Sequence, residues 1–154
     1  MAKFFLIACM LYVLSLAGAE VVDFDDCSTG GKGKGEIEKL EIIPCPTQPC
    51  QLKKGSKVQI KVTFVPHNED LTEATSVVHG EIGGFPVPFP LPNSNCCKDS
   101  GLTCPLKAGQ KYVYTSALDV KSEYPAIKVV VKWEMQDKDN NDVFCFKVAT
   151  QIVS

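Results

Sequence analysis

Few side chains in this sequence could do chemistry. There are two histidines, His67 and His79, and eight cysteines, and every one of the 16 basic residues is lysine. Nucleophilic catalysis needs a serine or cysteine with a base beside it, and hydrolysis of other kinds needs paired carboxylates or a metal. No G-x-S-x-G elbow frames a serine. His79 lies within a strand-like run and reads as a structural or surface histidine. His67 falls in the polar turn His67-Asn68-Glu69-Asp70 and reads as solvated. The acidic stretch Asp23-Phe24-Asp25-Asp26 lacks the spacing of a calcium loop and reads as a solvated face. No glycine loop stands between a strand and a helix to cradle phosphate. The residues point to a protein that is not an enzyme and needs no cofactor or metal.

The cysteines carry the other chemistry. Cys9 lies in Met1–Ala19, where Lys3 precedes an apolar run and Ala17-Gly18-Ala19 supplies small residues for cleavage. That is the layout of a secretory signal peptide, and it predicts a mature chain of residues 20–154, soluble and exported. An exported chain meets an oxidising compartment, so Cys27, Cys45, Cys50, Cys96, Cys97, Cys104 and Cys145 read first as disulfides. Zinc is the competing reading, but no C-x-x-C pair exists and neither histidine is near a cysteine in sequence. Short loops favour a Cys45–Cys50 clip and closure of Cys96 or Cys97 onto Cys104, with Cys27 and Cys145 tying the chain ends. One of the adjacent pair is left as a free thiol or an intermolecular partner.

Alternation then shows what must position these groups. From Lys57 to Phe64 the apolar residues are Val58, Ile60, Val62 and Phe64. From Ile127 to Gln136 they are Ile127, Val129, Val131, Trp133 and Met135. Period two builds strands with one face inward, and a helix would scatter these residues round its axis. Phe144, Phe146, Val148 and Ile152 mark a last strand through Val143–Val153, and weaker candidates are Val21–Phe24, Ile37–Ile43, Ser76–Ile82 and Lys111–Leu118. Gly30–Gly35 and Asp137–Asp142 read as turns. Gly83–Asn93 holds four prolines and cannot be a central strand. The expectation is one all-β domain, an immunoglobulin-like sandwich of about seven antiparallel strands with no helix.

Charge narrows the partners. The net of −2 and the absence of arginine speak against nucleic acid. The unusual stock is apolar and lies on a loop, Phe85–Pro92, where proline alternates with bulky residues. Such a segment stays extended without pairing on both sides. Phe85 and Phe89 either plug the end of the core or line a ligand cavity, and periodicity does not separate the two.

Longer motifs carry a resemblance. Pro44–Leu52 (PCPTQPCQL), Val77–Gly80 (VVHG), Pro86–Pro90 (PVPFP), Lys121–Pro125 (KSEYP), Ile127–Trp133 (IKVVVKW), Phe144-Cys145 and Gln151–Ser154 (QIVS) run in order through nearly all of the chain after residue 19. Together they resemble the ML lipid-recognition domain family, and within it the secreted cholesterol carriers. The resemblance implies a sandwich splayed around an apolar cavity that takes cholesterol or a related sterol tail first and transfers it. It places Phe89, Val120 and Tyr124 at the pocket or its gate, and Ile42, Leu52, Val58, Ile60, Val78, Val87, Leu118, Pro125, Trp133 and Phe146 in its walls. It implies bridges Cys27–Cys145, Cys45–Cys50 and one ending at Cys104, for which Cys97 is the chosen partner. It further implies a monomer that contacts membranes transiently, with the large Niemann-Pick type C membrane protein as a candidate acceptor, resident outside the cell or in the lysosome lumen. An ML module binding a non-sterol lipid in immune recognition is the alternative. Three departures stand out. Asn68, Asn93, Asn95, Asn140 and Asn141 all fail the N-glycosylation rule, which puts glycan-dependent delivery to lysosomes in question. Glu81 and Phe146 replace an apolar residue and an indole.

Overall fold

The computed structural model describes residues 20–28 and 33–154. The expected signal segment Met1–Ala19 and the start of the glycine-rich turn, residues 29–32, lie outside the described residues. Ten strand segments follow in order: β1 Glu20–Val21, β2 Asp25–Asp26, β3 Gly35–Ile43, β4 Cys50–Lys53, β5 Lys57–Pro66, β6 Thr75–Ile82, β7 Phe85–Pro88, β8 Tyr112–Asp119, β9 Lys128–Gln136 and β10 Asp142–Val153. No helix occurs among the described residues. One sheet has the order β1-β3-β5-β8. The other runs β2-β10-β9-β6-β7, with β4 also pairing with β10. The two sheets face each other as a β-sandwich.

The strong alternations become the central strands. On β5, Val58, Ile60, Val62 and Phe64 are buried while Lys57 and Gln59 point out. On β9, Val129, Trp133 and Met135 are buried and Val131 is half-buried. The count of about seven grows to ten because four segments are short. Val21–Phe24 is not one strand: the chain pairs with β3 through Glu20 and Val21, then crosses to pair with β10 through Asp25 and Asp26. Val22 is buried at the crossing. Cys50–Lys53 adds the one parallel pairing among the described residues, with Thr150–Val153. The proline-rich segment does form a strand, at the outer edge of β6, where Pro86 and Pro88 stand opposite Glu81 and His79. An edge tolerates residues that cannot donate to a ladder. Gly83 and Gly84, with φ of 57° and 84°, make the two-residue turn between β6 and β7, a conformation that matches strand twist and that residues with a Cβ resist.

One end of the sandwich is packed with rings. Phe64 meets Phe144 edge-on at 5.2 Å, Tyr114 meets Trp133 at 6.2 Å, and Trp133 stacks on Phe146 at 6.2 Å and 12°. Disulfides join Cys27 to Cys145, Cys45 to Cys50 and Cys97 to Cys104. The long closure, over 118 residues, is worth about 5 kcal/mol on the chain-entropy model, the five-residue clip about 2 kcal/mol. Cys96 is the cysteine left over. Its thiol is buried, and burial raises its pKa, leaving it a poor nucleophile.

Candidate functional site

At the other end the sheets do not close on side chains alone. An inner cavity between them is lined by Leu52, Val78, His79, Gly80, Phe89, Leu118, Val120, Tyr124, Val129, Val131 and Ile152, with a volume of about 20 Å³. That is room for roughly one water molecule. Outside it lies a hollow of about 190 Å³, open to solvent and walled by Gly80, Ile82, Val87, Pro88, Phe89, Tyr124, Pro125, Ile127, Val129 and Ile152. Five residues border both spaces. Among them Phe89 and Tyr124 face each other at 5.4 Å with their rings tilted by 58°. These two rings belong to the wall that the hollow and the cavity share.

Local structure explains how they get there. Phe89 lies just past the edge strand, anchored by its N–H donating to the Val78 carbonyl at 2.9 Å. The fixed φ of the flanking prolines holds that segment straight. Tyr124 sits in a turn closed by its N–H donating to the Lys121 carbonyl at 3.1 Å. Val120 is fixed on both sides of its peptide: its N–H donates to Ser56, and its carbonyl accepts from Gly55. Gly80 occupies an inward position of β6, and a Cβ there would come within 3.1 Å of Val129 Cγ1. Its missing side chain is part of the open space.

Of the residues the family likeness assigns, Leu52, Val78, Phe89, Leu118, Val120 and Tyr124 line the inner cavity, and Val87 and Pro125 join the outer hollow. Ile42, Val58, Ile60, Trp133 and Phe146 are buried in the core and border neither space. Val58 stands in register beside the cavity residue Leu118, and Ile60 beside Ser116 and Ile42. Gly80, Val129, Val131 and Ile152, together with His79 at the inner cavity and Ile82, Pro88 and Ile127 at the hollow, border these spaces and were left out of the assignment. Val129, Val131 and Ile152 already carried the inward alternation. Gly80 gave no signal, because its contribution is an absence.

The rim is apolar and exposed. Phe85 is 76% exposed, Val87 47% and Ile82 38%. Glu81 is bound to Lys147 at 2.9 Å, so its carboxylate is neutralised beside the mouth. Toward the opposite end of the second sheet, Asp142 and Glu134 are neighbours whose charges oppose each other. Burial, then the hydrogen bond and the charge of Glu134, push the Asp142 pKa up to about 7. Burial raises that of Glu134 too, but hydrogen bonds from Asp142, Gln136 and Lys132 and the Lys132 charge outweigh it and hold it low. A groove of about 340 Å³ on the edge of β10, between Asp23–Asp25 and Gln48–Cys50, is larger than either hollow. Its lining includes Asp23, Asp25, Gln48 and Lys147, which suits it poorly to an apolar guest.

Comparisons with known proteins agree with this geometry. Residues 21–152 match the ML domain family model. The chain is 42% identical to NPC intracellular cholesterol transporter 2 of Bos taurus over 97% of this chain and 98% of that protein. It is 44% identical to the Danio rerio protein of the same name, over 94% of each. A crystal structure of a Niemann-Pick type C2 protein from the Japanese carpenter ant superposes with a TM-score of 0.78 at 26% identity, covering 86% of this chain and all of that one. By family model, by sequence and by fold alike, this chain belongs to the ML domain family.

Proposed function

We propose that the chain binds a sterol, cholesterol or a close relative, and carries it between membranes or to a membrane-bound acceptor. The observation that carries this reading is the pair of adjoining apolar spaces at one end of the sandwich, with the paired rings of Phe89 and Tyr124 in the wall they share. Relatives more than 40% identical over nearly their whole length bear the name of cholesterol transporters, which supports the same reading. Ligand pockets for molecules of this size measure roughly 300–1,000 Å³, so the sheets must part to admit one. Burying roughly 400 Å² of apolar ligand at about 25 cal/mol/Å² supplies on the order of 10 kcal/mol gross. Immobilising the guest and opening the sheets take back several kcal/mol, which leaves tight but reversible binding. Apolar contact is weakly directional, so the pocket tolerates several sterols.

The wall includes Leu52, Val78, Val87, Leu118, Val120 and Pro125, with Ile42, Val58, Ile60, Trp133 and Phe146 entering it as the sheets part. Phe89 and Tyr124 act as the gate. The exposed Ile82, Phe85 and Val87 give the mouth an apolar lip that meets a membrane surface transiently. The chain works as an exported monomer in an oxidising compartment, in keeping with its three disulfides, and has no catalytic task. The test is titration of purified protein with a fluorescent sterol. One-to-one saturation is expected, with Phe89→Ala and Tyr124→Ala each weakening binding at least tenfold while the circular dichroism spectrum is unchanged. Unaltered affinity in both variants refutes the assigned pocket. Saturation by a non-sterol lipid alone refutes the ligand class.

A further inference from the structure

An apolar surface and a sheet edge coincide beside the mouth. β7 is the last strand of the second sheet, and all of its residues are exposed. Phe85 is the most exposed large apolar side chain among the described residues, with Ile82 and Val87 next to it. An exposed apolar edge strand is a template on which another strand adds itself. The nearest such strand belongs to a second copy of this chain, because one edge can pair with itself about a two-fold axis.

Register decides what this edge can offer. The Phe89 N–H donates to the Val78 carbonyl at 2.9 Å, so Val78 and Phe89 form a hydrogen-bonded pair of an antiparallel ladder. Such pairs recur at every second residue, which makes Gly80–Val87 and Ile82–Phe85 pairs of the same kind. The backbone polar groups of Phe85, Val87 and Phe89 therefore point toward β6. Those of the residues between them point outward, and these residues are Pro86 and Pro88. Neither has an N–H to give. A shift of the prolines by one residue would strip donors from the ladder with β6 instead. Pro90 and Pro92 continue the alternation past the strand. Further back along β6 other groups take over the same edge. The Ser76 N–H donates to Ser94, and the Cys96 N–H to Ala74, at 2.8 and 2.9 Å. The edge left open is thus the one that lacks donors.

We infer that Pro86 and Pro88 close the mouth-side edge of the second sheet to strand addition, and so keep two copies of this chain from joining lip to lip. Without them the edge suits itself well. Positions 86 and 88 would exchange N–H and C=O groups between copies, and Val87 would face its own counterpart on the axis. Phe85 would then lie opposite Phe89 of the second copy, and the two sheets would run into one. With proline at both positions every rung of that ladder lacks its donor, and the outward carbonyls are left to water. The lip can therefore stay apolar beside a free sheet edge without recruiting another chain. This inference involves no ligand and stands or falls independently of the sterol reading.

The experiment restores the donors. Pro86→Thr/Pro88→Thr introduces a residue that favours strands and adds little apolar surface. Sedimentation equilibrium of the full chain, over about a hundredfold range of micromolar concentrations, compares it with the wild type and with Pro92→Thr, a change outside the strand. The wild type and Pro92→Thr are expected to keep the mass of one chain throughout. The double variant is expected to approach twice that mass at the highest concentration, with the amides at positions 86 and 88 protected from hydrogen exchange only there. Pro86→Thr and Pro88→Thr alone each restore one donor per copy and should fall between, which carries the test if the double variant does not fold. Variants that keep the wild-type mass overturn the inference. So does association of Pro92→Thr to the same extent, or association without protection at positions 86 and 88. A wild-type dimer that Phe85→Ser abolishes would show the edge unguarded and overturn it as well.

Discussion

The two ends of the sandwich are built from the same strands and the same alternation, yet one is solid and the other is not. At the closed end, inward positions of β5, β8, β9 and β10 carry Phe64, Tyr114, Trp133 and Phe144, and ring meets ring across the gap. At the open end the same strands carry aliphatic side chains: Val58, Leu118, Val129, Val131 and Ile152. β6 offers only Gly80. Smaller groups on sheets spaced for rings leave room, and two rings from outside the strands, Phe89 and Tyr124, cover it. Whether a sheet pair makes a core or a container depends on how much side-chain volume each layer supplies, not on whether the layer is apolar.

Substitutions break this comparison in order of size. Phe144→Ala removes a buried ring from the closed end and should lower unfolding free energy by about 3–5 kcal/mol, read by urea denaturation. Phe89→Ala removes a ring from the open end and should cost no more than about 1 kcal/mol in the same measurement, although sterol affinity collapses. Equal losses would mean that the open end is core after all. Gly80→Ala puts a methyl into the cavity wall 3.1 Å from Val129 Cγ1, and should weaken sterol binding roughly tenfold with little change in melting temperature.

Asp142 sharpens the comparison from the outer face. Its folded pKa of about 7 lies above the ordinary carboxylate value, so folding favours its protonated form. The stability it contributes is complete below about pH 4 and is lost as pH rises through 7. Asp137, buried yet held low by Lys34 and by the Asn141 and Asp139 N–H groups, works in the opposite sense and loses its contribution only as pH falls below the usual carboxylate range. Between pH 5 and 8 the melting temperature should therefore fall, and Asp142→Asn should flatten that slope by stabilising the protein at pH 8. A slope unchanged by Asp142→Asn would assign it to other groups. The smallest effect is predicted for Lys57→Ala. Its pair with Asp119 is exposed at 3.4 Å, and surface pairs of this kind contribute under about 1 kcal/mol.

Much of the fold was legible because burial on one face writes itself into a strand. Lys57–Phe64 and Ile127–Gln136 fall within β5 and across β9, and the inward residues are the ones that alternation marks. Short segments were not legible. β4 buries only Cys50 and Leu52, too few turns of the pattern to register, and its parallel partner is a hundred residues away. Val22 looks like the middle of a strand but is the crossing between sheets. In the site, Phe89 was marked first by the proline-rich loop, as core plug or cavity lining, and Tyr124 by the family motifs; periodicity marked neither, since neither belongs to a strand. Val131 and Trp133 show why the cavity could not be drawn from alternation. They sit two residues apart with the same local pattern, and only what faces them across the gap makes one a cavity wall and the other core.

That the gate rings stand outside both ladders has a consequence for speed. Turning Phe89 and Tyr124 aside breaks no rung between strands, so the two rings move at the pace of loop and side-chain motion, nanoseconds to microseconds, while admission of a guest also waits on the sheets parting. With the gate and walls proposed above, how long a guest stays and how strongly it is held would be governed by different parts of the molecule. A carrier built this way can be made quicker to unload by changes at two residues, while the walls that decide whom it carries remain as they were.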